Sequence, residues 1–318
     1  MSDQKIVFLG TGGTIAGTAA NAFEHSSYTA AQVGVHELLA RLPGWQDGAG
    51  AARFVVEQVA QLDSKDMGFD VWVKLALRVA HFLAQDDVQG IVITHGTDTL
   101  EETAYFLQTL LAPTKPVVLT CAMRPATALV PDGPQNLLDA LAVASSATAS
   151  GVTVVCAGTI YGAEDVQKIH PYRLNAFSAG DAGPIGFVEQ GRLRLLRDWP
   201  LGQVLPLVSG LADAAWPRVE IVMSYAGADG TVVRALLKAG VKGLVVAATG
   251  NGTVHQDLEA ALVLAMQQGV KVVRATRCAE GRLLPATTDA LPAAPGLTPV
   301  KARIALMLAL MRAAQSGR

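Results

Sequence analysis

Charge is scarce in this chain, and cysteine scarcer. Asp, Glu, Lys and Arg make up 16% of the 318 residues, against 51% hydrophobic residues, and the formal net charge is −2. No basic block stands ready to neutralise a phosphate backbone, so the composition argues against a nucleic-acid binder. The apolar surplus argues against disorder, because enough surface can be buried to offset the entropy of ordering. Three scattered cysteines, Cys121, Cys156 and Cys278, form neither a CxxC pair nor a disulfide framework. Mean hydropathy is positive, yet no apolar run reaches the roughly 18–20 residues of a membrane span. Residues 152–160 are strand-sized, and residues 304–311 are flanked by Arg303 and Arg312. The first residues lack the charged region, long apolar stretch and cleavage site of a signal peptide, which sets the expectation of a cytoplasmic protein that does not engage the membrane. The histidines form no HExxH and no pair at ligand spacing, so no metal is expected.

What is present is a rhythm. Short apolar runs at 6–9, 54–59, 91–94, 117–120 and 152–156 alternate with segments of helical period at 32–41, 67–84, 100–111 and 135–144. Such alternation predicts βαβ units, hence an α/β fold with a mostly parallel sheet covered on both faces. Past residue 160 the rhythm lapses. Residues 161–181 are polar and aperiodic, and 185–196 predict a hairpin turning at Gln190-Gly191. Pro200, Pro206 and Pro217 mark a connector at 198–217. The rhythm then resumes, with strands expected at 219–223, 244–247 and 270–274, helices at 232–239 and 257–268, and a last helix capped by Thr298 with Pro299 at its first position. The expectation is two α/β domains: 1–197 and a smaller 218–318, joined by 198–217.

In open α/β sheets, ligands gather at the carboxyl ends of strands. Three such ends are small and polar here. Gly10-Thr11-Gly12-Gly13-Thr14-Ile15-Ala16-Gly17 fails the dinucleotide pattern at Ile15 and the phosphate-loop pattern at Thr18-Ala19, so no nucleotide cofactor is expected. It leaves a glycine turn presenting Thr11 and Thr14, either as chemistry or as buried threonines in a tight turn. Thr94-His95-Gly96-Thr97-Asp98-Thr99 opens a helix, and Thr99 with Glu102 has the spacing of a capping box. A hydroxyl and a carboxylate at a helix N-terminus also suit a small charged ligand. The third end, Cys121-Ala122-Met123-Arg124-Pro125, has the plain reading of a loop with Arg124 paired locally. Lys168 alone would pass for a solvated lysine, and His95 for a structural hydrogen-bonder.

Together these residues resemble bacterial-type L-asparaginases. Thr11-Gly12-Gly13-Thr14-Ile15-Ala16-Gly17 with Tyr28-Thr29, and Ile93-Thr94-His95-Gly96-Thr97-Asp98-Thr99-Leu100-Glu101-Glu102-Thr103, are similar to that family's two signatures. The similarity continues through Ala122-Met123-Arg124-Pro125, Asp132-Gly133-Pro134 and Gly250-Asn251-Gly252. The resemblance implies a larger N-terminal and a smaller C-terminal α/β domain, no cofactor, L-asparagine as substrate, and a homotetramer (a dimer of dimers) with sites completed across an interface. It implies Thr14 as nucleophile, Tyr28 beside it on a loop, and Thr97, Asp98 and Lys168 as a proton-transfer group. Ser64 and Asp98 match positions that hold the substrate α-carboxylate and α-amino group, Ala122 belongs to the binding surface, and Asn251 approaches from a neighbouring subunit. The residues themselves do not separate Thr14 from Thr97 as nucleophile. A threonine hydroxyl needs an adjacent base or relay, and Asp98, which stabilises an ammonium, is better suited to orient Lys168 and receive the substrate amine. Backbone N–H groups of the glycine loop or of Thr97, with the Thr97 hydroxyl, are the candidate oxyanion donors.

Two departures from the family pattern stand out. Lys65 occupies a position near the substrate amine where many members carry glutamine or glutamate. Residues 278–299 are shortened and apolar where several members supply an acid to the loop tyrosine; Glu280 and Asp289 are the acids present there. The expected activity is hydrolysis of L-asparagine to L-aspartate and ammonia through a threonyl ester, with L-glutamine as a weaker substrate. An acyl hydrolase of the same family, lysophospholipase-like, and a non-catalytic amino-acid-binding module are the alternatives.

Overall fold

The computed structural model describes residues 4–23, 27–42, 53–202, 205, 210–284, 286–287 and 289–316. The chain forms two compact units, Met1–Val208 and Ser209–Arg318. In the first unit the strands are β1 (Lys5–Gly12), β2 (Phe54–Leu62), β3 (Val88–Thr94), β4 (Val117–Thr120), β5 (Val152–Cys156), β6 (Thr159–Gly162), β7 (Gln167–Lys168), β8 (Phe177–Ser178), β9 (Gly186–Glu189) and β10 (Arg192–Leu195). Its helices are α1 (Val35–Ala40), α2 (Phe69–Leu83), α3 (Leu100–Leu111) and α4 (Gly133–Ala144). Eight strands make one sheet in the order β10-β9-β6-β5-β4-β3-β1-β2, and β7 and β8 form a separate two-stranded ribbon.

The strands from β2 to β5 are parallel, and β6, β9 and β10 are added antiparallel. Alternate side chains of the apolar runs supply both faces, as a covered parallel sheet requires. Ile6, Phe8, Val92, Val118 and Val155 pack with Val35, Leu38 and Leu39 of α1 and Leu137, Ala140 and Val143 of α4. The alternation turns Val7 and Leu9, also fully buried, to the opposite face. Trp72 of α2 stacks on Phe106 of α3 with ring centroids 4.8 Å apart. The hairpin expected at 185–196 is β9–β10, and Gln190 and Gly191 take φ of 52° and 73°, as a two-residue turn of left-handed residues requires.

In the second unit β11 (Val219–Met223), β12 (Gly243–Ala248) and β13 (Lys271–Thr276) form a parallel sheet in that order. Helices α5 (Thr231–Lys238) and α6 (Gln256–Gln267) seat Val233, Leu258 and Leu262 against Val222, Leu244 and Val246. Helix α7 (Pro299–Ser316) packs along all three strands, and Thr298 caps it, its hydroxyl accepting from Lys301 N. Of the expected connector, residues 203–204 and 206–209, Pro206 among them, lie outside the described residues. Among the described residues no helix is long and apolar enough to cross a membrane.

Candidate active site

The glycine turn extends the first strand rather than ending it. Pairing between β1 and β2 resumes after a register shift at Gly12↔Leu62, and Gly13 N donates to Leu62 O at 2.9 Å. Gly12 and Gly13 take φ of 101° and 84°, the region that only glycine enters at little cost. A Cβ on Gly13 would collide with the backbone of Gly96, and one on Gly96 would collide with the Ser64 hydroxyl. Two glycines at matching strand ends therefore let three loops touch, and the residues that follow them are Thr14 and Thr97.

The two threonines of the first loop part company. Thr11 fits the buried-turn reading, its hydroxyl donating to Thr94 O at 2.9 Å. Thr14, in a short 3-10 turn, instead shares a hydrogen bond of 2.6 Å with the Tyr28 hydroxyl. Tyr28 is delivered by a loop pinned at its base, where Thr18 and Thr29 exchange main-chain bonds of 2.9 Å. The loop also lies along residues 126–129: Ala126 N donates to Gly17 O, Ala19 N to the Thr127 hydroxyl, and Leu129 N to Ala22 O. Among the described residues Thr14 is the hydrogen-bond partner of the Tyr28 hydroxyl.

The second loop corrects the capping-box expectation. The Thr99 side chain does not cap α3; its hydroxyl donates to Ser64 O at 2.8 Å, while Asp98 N donates to the Ser64 hydroxyl at 3.2 Å. The Thr99 hydroxyl and the Asp98 N–H are thus spent on holding Ser64 rather than on the helix end. Lys168, far from a solvated lysine, keeps only 20% of its side chain exposed and donates to Thr97 Oγ1 at 2.8 Å and Asp98 Oδ1 at 2.7 Å.

Beneath this loop lies a buried relay. His95 is fully buried, and burial pushes its pKa down to about 4, against the smaller opposing effect of its bond to Gly96 O. The ring is therefore neutral. Gly96 O only accepts, so Nδ1 carries the proton and donates across 2.7 Å, leaving Nε2 to accept from the Thr103 hydroxyl at 2.9 Å. The Thr103 oxygen in turn accepts from Trp72 Nε1 at 2.9 Å. His95 is the structural hydrogen-bonder that its strand-end position suggests, and it holds the carbonyl of the glycine before Thr97. Because its folded pKa lies below the ordinary histidine value, its stabilisation is complete above about pH 6.5 and is lost as pH falls toward 4. A shift of this size corresponds to roughly 3 kcal/mol. Urea unfolding over that window should show the loss in the wild type and a shallower dependence in His95→Gln; equal slopes would overturn the assignment.

The remaining residues divide. Ala122 is fully buried with its side chain in the core, so only its main chain can face a ligand. Lys65 folds back onto Asp63 and Asp66 at 3.0 and 2.9 Å, and those two hydrogen bonds, Asp66 first, raise the pKa of its exposed ammonium. One ammonium between two carboxylates leaves that turn net negative. Asn251, in the second unit, spends its amide on the main chain of Leu284, donating at 3.1 Å and accepting at 2.8 Å. Asp289 is paired with Arg274, and Glu280 is exposed.

Asp132 and Asn136 carry no local sequence signal of a role. Asp132 accepts from the main-chain N–H groups of Met123 and Arg124 at 2.9 and 3.0 Å. Asn136 donates to Cys121 O and accepts from Ala157 N, tying together the chain just beyond β4 and β5. Arg124 pairs locally, with Val130 O. Cys121 is buried beside Cys156, and that contact and then burial raise its thiol pKa, leaving it inert.

The N-terminal asparaginase family model matches residues 5–201, and the glutaminase/asparaginase C-terminal domain matches 218–316. L-asparaginase 2 of Bacillus subtilis is 38% identical, covering 97% of this chain and 83% of that one. Glutaminase-asparaginase of Pseudomonas fluorescens is 37% identical, covering 98% and 88%. The crystal structure of a probable cytoplasmic L-asparaginase from Campylobacter jejuni superposes with a TM-score of 0.88 at 36% identity, covering 96% and 95%. Fold and matches together define a two-domain α/β amidohydrolase. Within that class, the chain belongs to the asparaginase family.

Proposed function

We propose that this protein hydrolyses the side-chain amide of L-asparagine, giving L-aspartate and ammonia through a threonyl ester. The observation that carries the reading is the meeting of two hydrogen-bonded groups across the touching glycines: Thr14 with Tyr28, and Thr97 with Lys168 and Asp98. In this reading Thr14 Oγ1 attacks the amide carbon and hands its proton to the Tyr28 hydroxyl as that hydroxyl gives its own toward the departing nitrogen. The tetrahedral oxyanion collapses, the C–N bond breaks, and ammonia leaves with a proton returned through the hydroxyls. Water then attacks the ester carbon, its proton passing to Thr97 Oγ1 as Thr97 gives its own to Lys168, deprotonated for this step, and the ester C–O bond breaks as Thr14 Oγ1 takes a proton back. General acid–base help of this kind is worth about 10²–10⁴-fold.

Gly13 N is spent on Leu62 O, whereas the Thr14 and Thr97 amides have no partner among the described residues, which makes them the favoured oxyanion donors. Ser64 and the main chain of Ala122 line the α-carboxylate side, and Asp98 receives the α-ammonium. Lys65 does not repel that ammonium, because Asp63 and Asp66 already neutralise it. L-glutamine is the weaker substrate, since one methylene discriminates by only about 1–3 kcal/mol.

The assembly we propose is a homotetramer, a dimer of dimers with Asn251 near a neighbouring site; light scattering that finds only active monomer overturns it. A cytoplasmic location is the companion proposal, supported by the name of the Campylobacter jejuni structure and tested by fractionation, since a Haemophilus influenzae relative is named periplasmic. The decisive assay is ammonia release from L-asparagine and L-glutamine over a wide concentration range. Saturable release from asparagine is expected, with a lower kcat/KM for glutamine; no ammonia from either amide overturns the reading.

A further inference from the structure

Lys168 sits on a strand that cannot hold itself. The β7–β8 ribbon is two residues per strand, Gln167 opposite Ser178 and Lys168 opposite Phe177, and such a ribbon has no independent stability. Yet the lysine must meet Thr97 Oγ1 at 2.8 Å and Asp98 Oδ1 at 2.7 Å together. Something outside the ribbon fixes its position.

On one side, the Tyr161 hydroxyl of β6 donates to Phe177 O at 3.0 Å, directly across from Lys168. On the other, the chain enters through a tight turn in which Asp165 N and Val166 N both donate to Gly162 O, at 3.1 and 2.9 Å. Asp165, with 19% of its side chain exposed, accepts from Arg197 Nη2 at 2.6 Å. The same nitrogen donates to Gly183 O at 3.0 Å, and Arg197 N donates to Ile185 O at 3.2 Å. The guanidinium thus joins the turn before β7 to the loop after β8 and closes the open end of the antiparallel ribbon, where Gln167 faces Ser178. The fit is close: a Cβ on Gly162 would lie 3.3 Å from Asp165 Oδ2 and 3.5 Å from Arg197 Nη2.

We propose that Arg197 is a positioning residue for catalysis: through Asp165 it fixes the strand that aims the Lys168 ammonium at Thr97. The inference rests on the reading of Lys168 as the proton relay. A plain structural ion pair would stabilise the fold and leave turnover per folded molecule unchanged. A positioning pair acts on the chemical step, where a misplacement of about 1 Å can cost about 100-fold.

Arg197→Ala is therefore expected to lower kcat by about 10–100-fold while KM stays within about twofold, at a protein concentration corrected for the folded fraction. Guanidinium added at millimolar concentration, matched against sodium chloride of equal ionic strength, is expected to recover part of the lost kcat by filling the vacated place beside Asp165. Arg197→Lys keeps the charge without the fork and is expected to fall between wild type and alanine; it also serves if the alanine variant does not fold. Unchanged kcat in a folded variant, or loss of kcat without recovery by guanidinium, overturns the proposal. A crystal structure of the variant separates this from the functional reading. Lys168 Nζ displaced from Thr97 Oγ1 supports positioning whatever the substrate, and an undisturbed contact overturns it. Absence of ammonia release in the wild type counts against the asparaginase reading instead.

Discussion

Thr14→Ala should reduce ammonia release from L-asparagine by about 10³-fold or more while the protein stays folded. The two parts of this expectation have separate grounds. The hydroxyl is the group that would form the ester, and no neighbouring side chain can occupy its place on the 3-10 turn. Its structural share is small, because its hydrogen bond goes to the phenol of a loop tyrosine rather than into the sheet. Losing such a bond costs about 1 kcal/mol, a minor part of a domain's stability. Thr97→Ala serves as the discriminating partner. It also slows turnover, but it leaves Thr14 in place, so an aspartyl adduct should accumulate and be visible by intact-mass spectrometry. No adduct should form on Thr14→Ala. An adduct on Thr14→Ala, or activity within tenfold of the wild type, would falsify the assignment of Thr14 as nucleophile.

Neighbouring positions in the chain differ sharply in how much of this the sequence discloses. The parallel strands are legible because burial on both faces demands continuous apolar runs, and 117–120 and 152–156 fall where the pattern puts them. Where main-chain pairing outlasts the apolar run, the pattern stops short: β1 continues through polar Thr11 to Gly12 because Leu62 still offers a partner. Helix α1 starts at Val35 rather than 32 because the Gln58 side chain, from another strand, takes the Val35 N–H. Thr99 misleads for a related reason. Its spacing to Glu102 satisfies a local rule, but a carbonyl 35 positions away competes successfully for the hydroxyl. Thr11 and Thr14 are equivalent in sequence and become distinct only through Thr94 and Tyr28. Lys168 is the extreme case. Nothing local marks it, since its partners lie 71 and 70 positions earlier and the ribbon carrying it is too short for periodicity to register. Only resemblance to the family singled it out, and resemblance carries no information about what holds the strand in place.

That isolation makes Lys168 the sharper test of mechanism. Lys168→Met keeps the length of the side chain and removes its donors, so Thr97 loses a hydrogen bond and Asp98 a counter-charge. Asp98 is half exposed, and the lost ion pair is worth at most about 1 kcal/mol, so the melting temperature should move by only a few degrees. Activity should move far more. Losing general acid–base assistance at a positioned hydroxyl lowers kcat by about 10²–10⁴-fold, and KM should change little because the contacts proposed for Asp98 and Ser64 with the substrate's charged ends are left in place. Lys168→Arg then separates two roles for the ammonium. If it served only as a fixed positive charge orienting Asp98, arginine would restore most of the rate. If it gives and takes a proton, arginine should fail nearly as badly as methionine, because a guanidinium stays protonated throughout the working range. We expect the second result, with kcat for Lys168→Arg within about tenfold of Lys168→Met. Recovery to near wild-type turnover by arginine would move Lys168 from proton relay to electrostatic support and leave Tyr28 as the base for both halves of the reaction.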